Sequence, residues 1–170
     1  NMPYQHYAPY LEVKMREISW KTPDIILVGS QSGTIPYDVH ESSTHSLPSL
    51  AFLLGTKPDA CVLVVNSIDP DDYIQDTLDA LRVLGKAPTI LLAMSDKEKH
   101  IRAAYGRTLV QLRQMPCSEI VRKLQYLEDK FGLSAVEIAS EGGQRRMVDT
   151  VVGHFASGGD SGQEKRITKL

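Results

Sequence analysis

The chain has 170 residues, of which 42% are hydrophobic and 24% are charged, and these values are typical of a soluble globular domain. Its formal net charge of −2 lacks the basic excess typical of proteins that bind nucleic acid or an anionic membrane, so we expect neither as a partner. No apolar run approaches the ~20 residues that a membrane span requires. The two cysteines, Cys61 and Cys117, follow no metal-binding spacing and indicate a reducing, cytoplasmic environment.

Four short apolar runs predict the strands of one mostly parallel sheet. Each run is rich in Ile, Leu, Val or Ala and is bounded by turn residues, as expected of strands that are buried on both faces. The predicted strands are Ile25–Val28, Cys61–Val65, Ile90–Ala93 and Ala135–Ile138. A proline shortly precedes each of the first three, where it helps to end the preceding helix.

Segments with helical spacing alternate with these strands. They are Tyr7–Trp20, Leu47–Leu54, Asp69–Leu84, Ser118–Phe131 and Gln144–Phe155. Alternation of this kind predicts an α/β fold with a mostly parallel sheet, helices on both faces and right-handed crossovers. The pattern is unclear over residues 96–117, where 107–114 fits either a short strand or a helical turn.

The composition predicts three parts along the chain. Residues 1–22 form a helical lead-in, and residues 23–156 form the α/β domain. Residues 157–170 are expected to be a disordered tail, because they contain too few apolar side chains to compensate for the entropy of ordering.

The polar loop after the first predicted strand is the first place to look for chemistry, since ligands of parallel α/β sheets bind at the carboxyl ends of strands. Residues 29–33, GSQSG, resemble a nucleophile elbow, but that motif needs a central serine where this chain has Gln31. Ser30, Gln31 and Ser32 could instead bind a phosphate or carboxylate through hydroxyls and backbone N–H groups. The alternative is that these small residues only allow a tight exit from the strand.

The second half of the same loop resembles the zinc motif H-E-x-x-H. The interval from His40 to His45 is one residue too long for two side chains on one helix face. A loop could still gather Asp38, His40 and His45 around a metal. Asp38, His40, Glu41 and His45 are therefore the candidate catalytic residues, with solvated loop side chains or helix caps as the alternative. Because of the long interval, we predict no tightly bound metal.

Polar residues also end the second and third predicted strands. Asn66, Ser95 and Asp96 are expected at the same sheet edge as Gln31, where they could contact a base or a polar substrate. Such residues also commonly cap helices or form turns at these junctions. The chain contains neither G-x-x-x-x-G-K-[ST] nor G-x-G-x-x-G, so it has no phosphate-binding loop of its own.

Three stretches, LPSLAFLLGTKPDACVLVVN, FGLSAVEIAS and GGQRRMVDTVV, resemble the carboxyl-terminal half of a poorly characterised P-loop family. That family includes the D-glutamate N-acetyltransferase-like proteins and is similar in fold to dethiobiotin synthetases. Its Walker-B-like strand ends in a Glu-Gly-Gln-Gly type loop, where this chain has VGSQSG with Gln31 retained and Gly29 in place of the acid. The resemblance spans about Pro23 to Phe155.

This resemblance implies a P-loop-NTPase-like fold that lacks the Walker A strand and loop, which lie upstream in the family. It implies ATP and Mg²⁺ as cofactors of the full-length protein, although the missing acid argues against nucleotide hydrolysis by this chain. The implied function is the carboxyl-terminal part of a nucleotide-dependent enzyme or accessory protein that is not catalytically competent alone. The expected partner is the P-loop half or a second copy, because a sheet without its first strand has an open edge.

Two alternatives to this function stay open. The chain could be a non-enzymatic α/β interaction module, or it could be a metal-assisted hydrolase that uses His40, Glu41 and His45. Whether the chain is an enzyme is therefore undecided by its sequence.

Overall fold

The computed structural model describes residues 3–30, 33–36, 46–104 and 107–157. A short 3₁₀ turn, Tyr4–His6, precedes the first helix, and a π-helical turn, Leu81–Gly85, extends the third. The other elements in chain order are α1 (Tyr7–Ser19), α2 (Ser46–Thr56), β1 (Cys61–Val65), α3 (Asp71–Ala80), β2 (Thr89–Met94), β3 (Lys97–Ala104), β4 (Arg107–Gln114), α4 (Cys117–Phe131), β5 (Ala135–Glu137) and α5 (Glu141–Ser157). None of these described helices is both long enough and apolar enough to cross a bilayer.

The α/β class and a parallel sheet are confirmed. Three strands form a parallel sheet in the order β1-β2-β5. In the pairing of β2 with β5, Leu92 lies opposite Ala135 and Met94 lies opposite Glu137. Residues 1–89 and 90–170 form two compact units, and each is described separately below.

The predicted first strand, Ile25–Val28, is wrong. Residues 25–28 have no regular secondary structure, and Leu27 is 83% exposed while Ile25 and Val28 are about half exposed. An apolar run becomes a strand only where a neighbouring backbone pairs with its N–H and C=O groups. No described strand pairs with this segment. An apolar composition favours burial, but it does not supply a neighbouring strand.

In the first unit, α1 and α2 cross closely at Gly55. A Cβ at this position would lie 2.7 Å from the backbone oxygen of Ala8 and 2.8 Å from the Cβ of Leu11. Only glycine allows the two helices to approach this closely. The third helix carries Asp71 in its first turn and buries Ile74 and Thr77.

The three predicted helix-to-strand junctions share an unusual backbone. Thr22, Lys57 and Lys86 are the non-glycine residues with positive φ, at 51°, 48° and 56°, in the described ranges. Each ends a helical segment and stands one or two residues before a proline. A left-handed residue ends a helix, and the proline then favours an extended chain after it. The similar junctions that the sequence indicates therefore share one conformation.

In the second unit, a small apolar cluster joins β2 to β5. Leu91, Ala93 and Val136 are fully buried, and Ile138 and Met147 pack against them. The fourth helix buries Leu127 and ends at Gly132, whose φ is +65°, as expected of a glycine that follows a helix.

Residues 97–114, whose pattern was unclear, form an antiparallel hairpin. Its register is one-to-one, from Lys97 opposite Gln114 to Ala104 opposite Arg107. At its base, the Gln114 side chain donates to the Asp96 carboxylate at 2.6 Å, and the Met115 N–H donates to the Asp96 carbonyl at 2.8 Å. Of the two alternatives for 107–114, the strand is therefore observed.

The five predicted helices are all present with shifted ends. The last helix is longer than predicted at both ends, since it begins at Glu141 and ends at Ser157. Its earlier start follows from Ser140, whose hydroxyl accepts the N–H of Gly143 at 3.1 Å and so caps the first turn. The predicted tail, apart from Ser157, lies outside the described residues.

Candidate functional site

Most of the predicted loop site lies outside the described residues. This applies to Gln31, Ser32, Asp38, His40, Glu41 and His45. Two described parts of the loop each contact a helix of the first unit. Ser30 shares a hydroxyl–hydroxyl hydrogen bond of 2.5 Å with the buried Ser49 of α2. The Tyr73 hydroxyl of α3 lies 3.5 Å from the Ile35 carbonyl oxygen, to which it donates.

Asn66, at the carboxyl end of β1, is engaged by a buried carboxylate. Its N–H donates to Asp69 Oδ2 at 2.7 Å, and its amide Nδ2 lies 3.2 Å from both carboxylate oxygens. The Asp69 N–H donates back to the Asn66 carbonyl at 3.2 Å. Both donor groups of Asn66 thus close the turn before α3, which supports the turn-forming alternative over substrate contact.

Ser95 and Asp96 form the junction between β2 and the hairpin. The Ser95 hydroxyl lies 3.3 Å from Asp96 Oδ1, to which it donates, and it accepts the Lys97 N–H at 3.2 Å. The other carboxylate oxygen of Asp96 accepts the Gln114 amide. These contacts hold the base of the hairpin, so these residues also serve the local turn.

A concavity of the second unit lies at the carboxyl end of β5. It has a volume of 180 Å³ and is lined by Leu124, Val136, Glu137, Ser140, Gly142, Gly143 and Arg146. The sequence analysis did not identify it, although Ser140 followed by Glu141 is a recognisable helix start, with a capping serine and an acidic residue in the first turn.

Internal hydrogen bonds fix the strand-to-helix turn in this cleft. The Glu137 carboxylate accepts the N–H groups of Ala139 and Ser140, the latter at 2.9 Å. The Gln144 amide donates to the Ile138 carbonyl at 3.0 Å. A Cβ on Gly143 would lie 2.7 Å from the carbonyl carbon of Glu137 and closer still to its oxygen. The turn therefore requires glycine at this position because the helix begins directly against the strand backbone.

Arg146, which lines the cleft, belongs to an ion pair that joins three elements. Glu128 of α4 accepts the Ala135 N–H of β5 at 2.9 Å and the Arg146 guanidinium of α5 at 3.0 Å. The Ala135 N–H is the main cause that lowers the pKa of the Glu128 carboxyl, and Arg146 adds to it against the opposing effect of burial. Arg146 is thus occupied by its contacts with Glu128 and with the Ala135 carbonyl.

The chemistry that these groups can perform is limited by their internal contacts. Within residues 3–30, 33–36, 46–104 and 107–157, no three His, Cys, Asp or Glu side chains are grouped to hold a metal ion. The carboxylates of Asp69 and Glu137 bind groups of their own turns, and that of Asp96 binds Gln114 at the base of the hairpin. The described carboxyl ends of these strands are therefore turns that are stabilised by their own polar side chains.

Comparison with models of protein families, with curated proteins and with solved structures finds no match for this chain. The resemblance to the P-loop family rests on the sequence segments named above and stays a prediction.

Proposed function

We propose that this chain is the carboxyl-terminal part of a P-loop-related, nucleotide-dependent enzyme or accessory protein and is not catalytically competent alone. Its partner is an amino-terminal half that carries the Walker A strand and loop. Binding of ATP and Mg²⁺ belongs to the combined protein, with Gln31 facing the nucleotide from this chain. The two cysteines, which are both free, support a reducing cytoplasmic location.

The observation that carries this proposal is that apolar side chains are exposed in segments that correspond to strands of the resembled family. Leu27, in the segment that corresponds to the Walker-B-like strand, is 83% exposed. Val64 of β1, which is the end strand of the described three-stranded sheet, is 64% exposed. Parallel sheets bury both faces and their strands are covered by neighbours. These residues are the surface that a missing part of the sheet would cover.

The absence of a phosphate-binding loop from the sequence explains why the chain needs such a partner. Tight triphosphate binding requires a cradle of backbone N–H groups, a lysine that reaches the β- and γ-phosphates, and oxygen ligands for Mg²⁺. Without the cradle and the lysine, we expect the chain alone to bind ATP or GTP with a Kd of about 1 mM or weaker. This Kd corresponds to a binding free energy on the order of 4 kcal/mol.

Calorimetry with ATP and Mg²⁺ tests this proposal in two steps. The first step uses this chain alone, and the second adds the polypeptide encoded upstream in the same reading frame. We expect that polypeptide to contain a G-x-x-x-x-G-K-[ST] loop and the mixture to bind ATP at least about tenfold more tightly, which corresponds to 1.4 kcal/mol. Leu27→Asp should remove this gain, whereas Val148→Asp, at a position of α5 that is 55% exposed, should keep it. A micromolar Kd for the chain alone, lost on Gln31→Ala, would show that its loop is a complete phosphate site.

The same exposed residues favour a second candidate, a non-enzymatic module that pairs with a partner protein or with a second copy. Exposed apolar surface and an end strand promote association whether or not a nucleotide is involved. The two candidates predict different contents of the upstream reading frame. If it encodes no Walker A loop, and sedimentation shows self-association that Leu27→Asp abolishes, the second candidate is the correct one.

A further inference from the structure

The charge of this chain is strongly segregated. The β3–β4 hairpin, residues 97–114, contains five of the 19 Lys and Arg residues and one of the 21 Asp and Glu residues. It therefore has a formal charge of +4, while the remainder of the chain has −6. The overall value of −2 hides a basic segment within an acidic protein.

The hairpin is a regular two-stranded ribbon. Eight residue pairs follow one another without a bulge, which gives a length of about 26 Å at 3.3 Å per residue. At its described base, Lys97 and Arg113 are exposed, and the apolar Leu112 is 58% exposed. The ribbon is therefore uncovered at these positions and accessible to a ligand.

The register distributes the basic positions over both faces of the ribbon. Side chains alternate along a strand, and directly paired residues share a face. Positions 97 and 99 thus belong to one face and positions 102, 107 and 113 to the other. Glu98, the acidic residue, is paired with Arg113, which leaves four basic positions that face no acidic residue across the ribbon.

We propose that the β3–β4 hairpin binds the major groove of double-stranded DNA, mainly through phosphate contacts. The major groove of B-DNA is about 12 Å wide and accommodates a two-stranded ribbon, with phosphates on both sides of it. The formal charge of +4 on the ribbon complements the phosphates that border this groove. An anionic membrane would contact one face, and the deep, narrow major groove of duplex RNA would exclude the ribbon.

The salt dependence of binding provides a quantitative test. Four phosphate contacts predict a slope of about −3.6 for log K against log salt, so the affinity should fall about 150-fold between 50 mM and 200 mM salt. Fluorescence anisotropy with a labelled duplex of mixed sequence measures this fall on the full chain. Without base-specific contacts, we expect a Kd of about 10⁻⁴ to 10⁻⁶ M near physiological salt.

Two sets of charge variants distinguish the hairpin from general electrostatic attraction. Replacing Lys99, Arg102 and Arg107 by Gln should reduce the slope to about −0.9, with an affinity change of only about 3.5-fold over the same salt range. The matched control replaces three exposed basic residues outside the hairpin by Gln, namely Lys21, Arg122 and Arg145. This control should retain the wild-type slope, and Glu98→Gln should tighten binding. Circular dichroism spectra equal to that of the wild type establish that the variants are folded.

Several results would overturn the proposal. One is the absence of DNA binding at low salt, and another is an equal loss of affinity in the control set. Tighter binding to duplex RNA than to duplex DNA would contradict the fit to the major groove. Binding to phosphatidylserine vesicles without binding to DNA would assign the hairpin to a membrane. A salt-sensitive dimer that the hairpin variants abolish, again without DNA binding, would assign it to the acidic α3 of a second copy.

Discussion

Removal of the Glu128 carboxylate tests whether the second unit depends on one polar junction. Glu128 accepts the backbone N–H of Ala135 and the guanidinium of Arg146, so it connects α4, β5 and α5. Ala135 is 1% exposed, and water cannot readily replace a lost acceptor at its N–H. Glu128→Ala removes both interactions, whereas Glu128→Gln keeps an acceptor of nearly the same shape without the charge.

The two interactions differ in their expected contribution to stability. Leaving a buried N–H without a partner costs about 1–3 kcal/mol. The ion pair contributes less, because the Arg146 side chain is 59% exposed and that of Glu128 is 30% exposed, and such pairs are worth about 0–1 kcal/mol. We therefore expect Glu128→Ala to lower the free energy of unfolding by about 2–3 kcal/mol and Glu128→Gln by about 1 kcal/mol or less.

The pH dependence of the same comparison has a definite sign. The pKa of Glu128 is lowered in the folded protein, first by the Ala135 N–H and then by Arg146. Its stabilising contribution is therefore fully present above the ordinary pKa of a glutamate and is lost as the pH falls through the lowered value. The difference in stability between the wild type and Glu128→Gln should shrink as the pH falls below 4.5, the ordinary value, and should be constant near neutrality.

Urea unfolding followed by circular dichroism measures the global effect, and amide hydrogen exchange at Ala135 measures the local one. The control is Asp129→Ala in the same helix, because Asp129 is exposed and accepts only the Gln125 amide at 3.0 Å among the described contacts. This control should change stability by less than about 0.5 kcal/mol. Equal losses for Glu128→Ala and Asp129→Ala, or unchanged protection of the Ala135 amide, would refute the reasoning.

Backbone overlap, thiol burial and metal content provide three further tests. Gly143→Ala should cost about 1–3 kcal/mol of stability in urea unfolding because its Cβ overlaps the Glu137 backbone, whereas Gly142→Ala, with open space around its Cβ, should be neutral or slightly stabilising. Cys117 is exposed and should react rapidly with a thiol reagent such as DTNB, whereas burial raises the pKa of Cys61 and should slow its reaction; Cys117→Ser should abolish the rapid phase. Elemental analysis of the purified chain should find no bound zinc, and one zinc per chain would promote the metal-assisted hydrolase.

The elements that were predicted well are those whose local pattern and tertiary environment agree. The second predicted strand, Cys61–Val65, has the observed bounds, and the third differs by one residue at each end. Both are continuous apolar runs that enter a parallel sheet. The fourth helix also matches to within one residue, because its apolar residues recur at helical spacing and Gly132 ends it.

Residues 25–28 show where such reasoning fails. Their composition resembles that of β1, and local propensity treats the two segments alike. Strand formation also requires a partner backbone, and the sequence of one segment contains no information about whether a partner is present. For the hairpin the pattern of residues 97–114 was unclear, because its strands mix polar and apolar residues and its regular structure comes from the pairing of β3 with β4.

The positions of two candidate site residues at the ends of strands could be predicted from the sequence, whereas their local contacts could not. Asn66 and Asp96 do lie at the carboxyl ends of strands, as predicted, but each is committed to a turn of its own chain. Short polar side chains favour such local hydrogen bonds, and their residue types are the same in either role. The Glu128–Arg146 pair was not foreseen, because its members are 18 residues apart and become neighbours only through the packing of the second unit.

For charge, the local arrangement along the chain matters more than the net value. The expectation that nucleic acid does not bind was based on the net charge of −2. Net charge governs attraction only at distances over which the charges act together. At 0.1 M salt the screening length is about 10 Å, which is shorter than the ribbon of about 26 Å. A ligand on the hairpin therefore responds mainly to the hairpin's formal charge of +4, and only weakly to the acidic remainder of the chain.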